Sequence, residues 1–480
     1  VQRVVMKIDR HDDKPIWKQL LNQAVHNITS GKWKAGYRLP PTRELAQQLG
    51  VARSTVQTVY EELFSRGYTV TSRRGGTRVS DWSQPIISKE QRRLHHLTPP
   101  SFPALEEAVG RFHDWSEGKR NNDVDIDFSP HEPYLDSLFL KKWRQSFLQA
   151  SDKAGLSCWT YGNSFGYEPL RYQIQNFLSV SRGIHVDIEQ ILLTSGAQQS
   201  IDLISQGLLL ERDTVAVEDP GFPPAWLTMM YRNRNVVPVQ VDEQGIVVEC
   251  IPKQSKLIFV TPSHQSATGV IMSVKRRRQL FELAIRNEAW IIEDDYDGEF
   301  RHSGEPLPTL FSQEPEHTIY LMSFSKMIAP GIRISAIIGP VEAIAQLARV
   351  QKLTSRHLPI MEQLTLAHFI EHGHFMRHMR RVRNIYRRRH EAMIKAIAST
   401  KLEEVFSVKG VETGLHMLLE AGEDFNEEEM TNKVLENGVR VYPLSSYCLE
   451  SERKGWVLGY SKVNEETIMR GINQLSNIIR

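Results

Sequence analysis

Lys326 is the residue of this 480-residue chain around which reactive chemistry is most readily drawn. It follows the apolar run Thr318–Ser323 and is flanked by the hydroxyls of Ser323 and Ser325, with Arg333 a short way on. A lysine just past a buried strand, between small hydroxyls, can form an imine with an aldehyde cofactor. Ser323, Ser325 and Arg333 can then bind that cofactor's phosphate. Thirty-two residues before the lysine, the apolar run Trp290–Ile292 ends in Glu293-Asp294-Asp295-Tyr296. The carboxyl ends of strands are where open α/β sheets bind ligands. Asp294 can keep a pyridinium nitrogen protonated there, and Tyr296 can donate to a ring's phenolic oxygen. Two further pieces have the same placement. Thr194-Ser195-Gly196-Ala197-Gln198 stands between a strand and a helix, so the amides of Ser195, Gly196 and Ala197 open an anion site. Asp219-Pro220-Gly221-Phe222 ends another strand and offers an aromatic ring to sandwich a planar group. A lysine after a strand is usually only a surface lysine. Four such pieces in order, each at a strand end, are hard to ascribe to chance.

The elements that must position these residues can be read from periodicity. The runs Ile191–Thr194, Thr214–Val217, Leu257–Thr261, Trp290–Glu293, Thr318–Ser323 and Ile334–Ile338 alternate with amphipathic helices. Short continuous Val/Ile/Leu runs of this kind predict an α/β domain with a largely parallel, buried sheet over residues 124–480. Residues 1–80 differ in character. They hold fourteen Lys/Arg against six Asp/Glu, whereas the rest of the chain holds 45 against 51. A basic head on a mildly acidic body suggests a polyanion partner for the head alone. Its pattern predicts a helix over Pro15–Ser30, a second over Arg43–Leu49 capped by Thr42 and stopped at Gly50, and a third from Ser54 or Thr55 to about Arg66. Strands Tyr68–Thr71 and Thr77–Val79 follow, around a basic tip at Ser72–Gly76. Two helices across a short Gly-containing turn, then a hairpin, describe a winged helix-turn-helix. Between head and body, residues 81–123 are rich in Pro, Ser and charge and read as a linker, with some helical spacing over Phe102–Ser116.

Over residues 10–80 the chain resembles the GntR family of bacterial regulators, through Leu39-Pro40-Pro41-Thr42-Arg43-Glu44-Leu45-Ala46, Val51-Ala52-Arg53-Ser54-Thr55-Val56, Tyr60, Leu63 and Gly75-Gly76-Thr77. The resemblance implies double-stranded DNA as partner. Arg43 and Arg53, Ser54, Thr55 and Gln57 on the recognition helix, and Arg73, Arg74 and Gly75 on the wing would contact it, with Leu45, Val56 and Leu63 in the core. Arginine forks and hydroxyls suit phosphate, and Gln57 can read a base edge. Ala52 replaces the hydroxyl residue common at its position, so one phosphate contact is expected to be missing. From about Asp125 onward the chain resembles fold-type I pyridoxal-phosphate enzymes of the aminotransferase class. That resemblance makes Lys326 the Schiff-base lysine, Asp294 the pyridine partner, Tyr296 the ring-oxygen donor and Phe222 the stacking ring. Ser195, Gly196, Ala197, Ser323, Ser325 and Arg333 form its phosphate cradle. Tyr161-Gly162-Asn163-Ser164-Phe165-Gly166-Tyr167 looks like the segment whose tyrosine completes the neighbouring subunit's site, which implies a homodimer. The stretch Thr261–Gly269 occupies the place of an Asn-Pro-x-Gly motif but lacks the Asn, and His264 either substitutes for it near the ring oxygen or only shapes the loop.

A GntR-type head on an aminotransferase-like body is the architecture of the MocR-type regulators, which include sensors of γ-aminobutyrate and controllers of vitamin B6 synthesis. By that resemblance the protein is a head-to-tail dimer on repeated half-sites. A transaminase ordinarily needs an arginine to grip its substrate's carboxylate. None stands after Phe222, in Tyr442–Tyr447, or in Gly455–Tyr460; only Arg453 and Lys454 are nearby. The expected effector is therefore pyridoxal phosphate itself, with the apparatus kept for sensing and turnover doubtful. Two alternatives stay open: a sensor of an amino acid or amine, and a true aminotransferase with an accessory head. The arginine-rich stretch from Arg377 to His390 reads first as a solvated helix and second as another DNA-contacting face. Cys158, Cys250 and Cys448 are scattered without CxxC spacing, which argues against disulfides and a structural metal and fits a cytoplasmic protein.

Overall fold

The computed structural model describes residues 6–10, 12–72, 76–81, 106, 110, 124–303 and 308–479. It divides into two units, Val1–Ser101 and Phe102–Arg480. Arg73, Arg74 and Gly75 lie outside the described residues, as do the residues 81–123 read as a linker, except Asp81, Glu106 and Gly110.

In the first unit, Leu20, Leu21, Ala24 and Ile28 form one buried stripe of α1 (Ile16–Thr29), as their three- and four-residue spacing requires. α2 (Thr42–Leu49) starts one residue earlier than expected: Thr42 is its first residue and Pro41 precedes it without a side-chain cap. It stops at Gly50, whose φ of +64° is the left-handed conformation that ends helices. α3 (Arg53–Ser65) follows. Leu45, Val56, Val59 and Leu63 from α2 and α3 close on the α1 stripe together with Trp33 and Leu39. β1 (Thr69–Ser72) and β2 (Gly76–Val79) pair antiparallel, Thr69 opposite Val79. Leu39 donates its N–H to Thr77 O at 2.9 Å and Arg38 bridges Arg78, which adds a short third edge to the wing.

The second unit is built on eight strands in the order β4-β11-β10-β9-β8-β5-β6-β7. Besides β3 (Ile126–Asp127), which lies elsewhere, they are β4 (Ile191–Thr194), β5 (Thr214–Asp219), β6 (Asn235–Asp242), β7 (Gly245–Ile246), β8 (Ser255–Val260), β9 (Trp290–Asp295), β10 (Thr318–Ser323) and β11 (Ser335–Ile338). β10, β9, β8, β5 and β6 run parallel, while β11 is antiparallel to both of its neighbours. Alternate residues serve opposite faces: Ile191 and Leu193 join one buried cluster and Leu192 another. Burial on both faces is why these strands read as unbroken apolar runs. β6 escaped the sequence reading because Pro238 and exposed Gln240 interrupt its apolar character.

A smaller lobe follows the 25-residue helix His374–Ala398. β12 (Phe406–Lys409), β13 (His416–Ala421), β16 (Lys454–Gly459) and β15 (Tyr442–Pro443) form an antiparallel sheet, and β14 (Val439–Arg440) pairs with β3. Several arginines of the long helix are engaged within the protein. Arg381 pairs with Asp136, Arg383 with Glu299 and Arg388 with Glu465, Arg389 donates to Ser461 O, and Arg377 donates to His372 O. Arg377, Arg380, Arg387 and Arg388 stay exposed, so the helix keeps a solvated basic face beside its internal pairs. Among the described residues no helix is long and apolar enough to cross a membrane.

Candidate functional site

Two surfaces gather the residues singled out by sequence. On the first unit, Arg43 is exposed at the start of α2, and Arg53, Ser54 and Gln57 are exposed on the first turns of α3, with Thr55 half-buried beside them. Val56, Val59 and Leu63 anchor the opposite side of α3, so burial alone turns Arg53 and Gln57 outward on one face. Gln57 donates to Glu61 across one helical turn at 3.0 Å, which holds its amide in place. Tyr60 donates to Pro40 O at 2.7 Å and ties α3 to the segment entering α2. Arg38, which the sequence reading did not select, adds another cation: a Cβ on Gly76 would lie 3.4 Å from its Nε.

On the second unit the carboxyl ends of β4, β5, β8, β9 and β10 converge. Strand alternation sorts the acidic run of β9. Glu293 accepts from the N–H groups of Leu310 and Phe311, each at 2.9 Å, and Asp295 pairs with Arg182 and accepts from Tyr320 Oη. Asp294 points to the other face, where its Oδ1 is buried without a partner. Burial, reinforced by Asp295, Asp297 and Glu218, pushes the Asp294 carboxyl up to about 8. Lys326 projects from the short helix Phe324–Met327, which Ser323 caps by accepting from Ser325 N at 3.2 Å. Its Nζ donates to Pro130 O at 2.9 Å, and burial pushes the amine down to about 8 against the opposing pull of Asp297 and Glu132.

The anion cradle is partly engaged within the protein. Gly196, at φ +91°, opens the helix Ala197–Leu208, and a Cβ there would meet Arg333 Nη2 at 2.5 Å. Arg333 donates to Ser195 O at 2.8 Å, and Ser195 N donates to Gln199 Oε1 at 2.5 Å, so the Ser195 amide is committed and its hydroxyl is what it can offer. Phe222 follows β5 and lies parallel to Phe259, ring centroids 6.4 Å apart. Tyr296 Oη lies 3.0 Å from His264 Nδ1. Tyr161 is not brought to this chamber within one chain. It is 72% exposed, with Arg356 stacked over it at 3.7 Å and His357 against its edge.

Sequence reasoning missed His131, Asp297, His416 and Tyr447. His416 is buried and His131 half-buried near Lys326, and desolvation holds both imidazoles well below the ordinary histidine range. Tyr447 accompanies His131, ring centroids 6.3 Å apart. No motif marked them, because Pro130-His131 and His416 reach the chamber only through the small lobe's return to the large one. An aldehyde-bearing, phosphate-bearing pyridine fits what is present. The orphaned Asp294 Oδ1 suits a protonated ring nitrogen, the glycine-opened helix end and Arg333 suit phosphate, and Lys326 supplies a primary amine.

Residues 124–457 match the family model for aminotransferase class I and II, and residues 18–79 match that for bacterial regulatory proteins of the gntR family. An uncharacterized HTH-type transcriptional regulator, YdeL, of Bacillus subtilis is 33% identical over 98% of this chain and 97% of its own length. The probable rhizopine catabolism regulatory protein MocR of Rhizobium meliloti is 29% identical over 98% and 95%. The HTH-type pyridoxine biosynthesis transcriptional regulator PdxR of Corynebacterium glutamicum is 27% identical over 98% of each. Among solved structures, the α-aminoadipate aminotransferase LysN of Thermus thermophilus superposes with a TM-score of 0.69 at 22% identity, covering 78% of this chain and 96% of that one. The chain belongs to the MocR-type transcription regulators, in which a GntR helix-turn-helix domain is joined to a domain of the pyridoxal-phosphate-dependent aminotransferase family.

Proposed function

We propose that this regulator responds to pyridoxal phosphate itself, held at Lys326, and adjusts promoter binding so as to control genes of vitamin B6 synthesis. The observation that carries this reading is the site's lack of a carboxylate grip. On β16, Val457 packs with Ala267, Leu418, Leu444 and Tyr447 in a closed apolar cluster. The nearby cations are used elsewhere: Arg453 donates to Glu420 Oε1 and Val241 O, and Lys454 donates to Glu423 O. Neither β16 nor these two cations offers an entering amino acid a bidentate partner, which would leave it poorly oriented for turnover. The PdxR relative's name supports the same assignment.

Bound pyridoxal phosphate supplies an aldehyde that condenses with primary amines and a ring nitrogen able to carry a proton. Lys326 anchors it, Asp294 holds the ring-nitrogen proton, Tyr296 donates to the ring oxygen and Phe222 covers a ring face. Gly196, Ala197, the hydroxyls of Ser195, Ser323 and Ser325, and Arg333 take the phosphate. Arg43, Arg53, Ser54, Thr55 and Gln57, with Arg73, Arg74 and Gly75 of the wing tip, contact DNA. Tyr161 completes the site of a second copy in a head-to-tail homodimer. The exposed apolar side chains around it, Leu156 at 86% and Trp159 at 76%, support burial in such a contact.

Fluorescence anisotropy on the protein's own promoter, with and without pyridoxal phosphate, tests the proposal. The expected result is a cofactor-dependent change in DNA affinity that Lys326→Ala abolishes. An affinity that ignores the cofactor, or a response that survives Lys326→Ala, refutes it. Sustained conversion of amino acids by the loaded protein would establish the aminotransferase alternative instead.

A further inference from the structure

His264 is buried in a slot that only glycine backbones leave open. A Cβ on Gly414 (φ +85°) would come 2.0 Å from its Cε1, and a Cβ on Gly269 (φ +69°) would come 2.9 Å from its Nε2. One wall belongs to the loop after β8 and the other to the turn before β13, so both lobes shape the slot. Within it, Nδ1 lies 2.8 Å from Asp297 Oδ2 and 3.0 Å from Tyr296 Oη. Nε2 is buried without a partner, and the His416 ring stands 4.5 Å away, centroid to centroid.

A single imidazole nitrogen offers either one proton or one lone pair. A carboxylate only accepts, so the Asp297 contact requires the proton on Nδ1. The opposite tautomer would press a lone pair against Asp297 Oδ2 in a buried site. With Nδ1 protonated, Tyr296 cannot donate into His264. Its oxygen can only accept there, and its own proton must be given away from the histidine. Asp297 thereby acts on Tyr296 through an imidazole, in the manner that outer partners orient a ligating or catalytic histidine.

We propose that His264, oriented by Asp297, is a positioning residue that sets the direction of the Tyr296 hydroxyl proton toward the oxygen of a bound aromatic ring. This rests on the reading of Tyr296 as the cofactor's ring-oxygen donor. It differs from both roles open to His264 from sequence, a place near the ring oxygen or a shaping of the loop: the histidine acts by fixing another residue's donor.

The test is a pH titration of the visible absorption of protein loaded with pyridoxal phosphate, with the cofactor's dissociation constant measured alongside. Tyr296→Phe should shift the absorption midpoint and weaken cofactor binding roughly tenfold, the loss of one hydrogen bond to a charged acceptor. His264→Ala should shift the midpoint in the same direction by a comparable amount. His264→Asn, whose amide N–H can stand where Nδ1–H stands, should restore it, and His264→Gln, whose amide reaches only the Nε2 position, should not. Equal midpoints for the Asn and Gln variants, or a wild-type midpoint in His264→Ala while Tyr296→Phe is displaced, would leave His264 as slot filling and overturn the proposal. If Tyr296→Phe changes neither quantity, the cofactor assignment of Tyr296 fails instead. The Asn and Gln variants, both polar and of slot size, decide the matter even if the alanine variant does not fold.

Discussion

Burial acts in opposite senses on Lys326 and Asp294 and brings both to about 8, because a dry chamber disfavours either charge. For the lysine the consequence is kinetic. Only the neutral amine attacks an aldehyde, so the rate of cofactor capture, followed by absorbance in stopped flow, should rise through pH about 8 rather than near the ordinary lysine value of about 10.4. A rate still climbing steeply beyond pH 9.5 would show that Lys326 is more solvated than its surroundings indicate. For the aspartic acid the consequence is thermodynamic. Its folded pKa is raised, so between pH about 4 and 8 the folded chain binds more protons than the unfolded one, and stability falls as pH rises through that window. Asp294→Asn removes the effect. In cofactor-free protein the variant's melting temperature relative to wild type should climb between pH 5 and pH 8. With pyridoxal phosphate present the same variant should bind more weakly, by about 2 kcal/mol, the worth of a hydrogen bond to a charged group. Dissociation constants at pH 7 check this, and unchanged affinity would place the ring nitrogen elsewhere.

At the scale of elements, legibility followed local rules. β4 and β10 begin and end where their apolar runs do, because a strand buried on both faces is apolar along most of its length, with Thr194, Thr318 and Ser323 only at the ends. The order Ser195, Phe222, Asp294, Lys326 was readable because each residue lies at or just past the carboxyl end of such a strand. His131 and His416 were not, since their neighbourhood is made by the small lobe folding back, a long-range event that leaves no local spacing; Asp297 stands beside Tyr296 just past the end of β9 and was within reach of the same reading. α2 began one residue early: Pro41, fixed near φ −55° with an extended ψ of 142°, takes the position before the helix without a side-chain cap, which leaves Thr42 inside the first turn. Gly50 supplies a test of the helix-turn-helix corner. No atom lies within 4 Å of a Cβ built there, so Gly50→Ala should cost only the left-handed strain, about 1 kcal/mol, read as a lowered unfolding midpoint in denaturant. A neutral substitution would show that the turn relaxes freely.

Across the whole molecule, the excess of positive charge lies in the head, while the body carries 45 Lys/Arg against 51 Asp/Glu. DNA affinity should therefore follow salt through the head alone. Arg43→Ala and Arg53→Ala should each lower the slope of log affinity against log salt by about 1, whereas Arg380→Glu with Arg387→Glu on the long helix should leave it unchanged. A reduced slope in the helix variants, measured by anisotropy titration, would put the body on the operator after all. The face sorting of Glu293, Asp294 and Asp295 has a consequence of another kind. Because side chains alternate along β9, one codon inserted between Trp290 and Asp294 would exchange the faces of the strand's later residues. Asp294 would be driven into the Arg182 side and a neighbour into the chamber. Two inserted codons would restore the parity. Reading frame and strand parity are thus stacked checks on the same stretch of gene. A map of insertion tolerance along the chain should show an odd–even alternation here, which exposed loops have no reason to display.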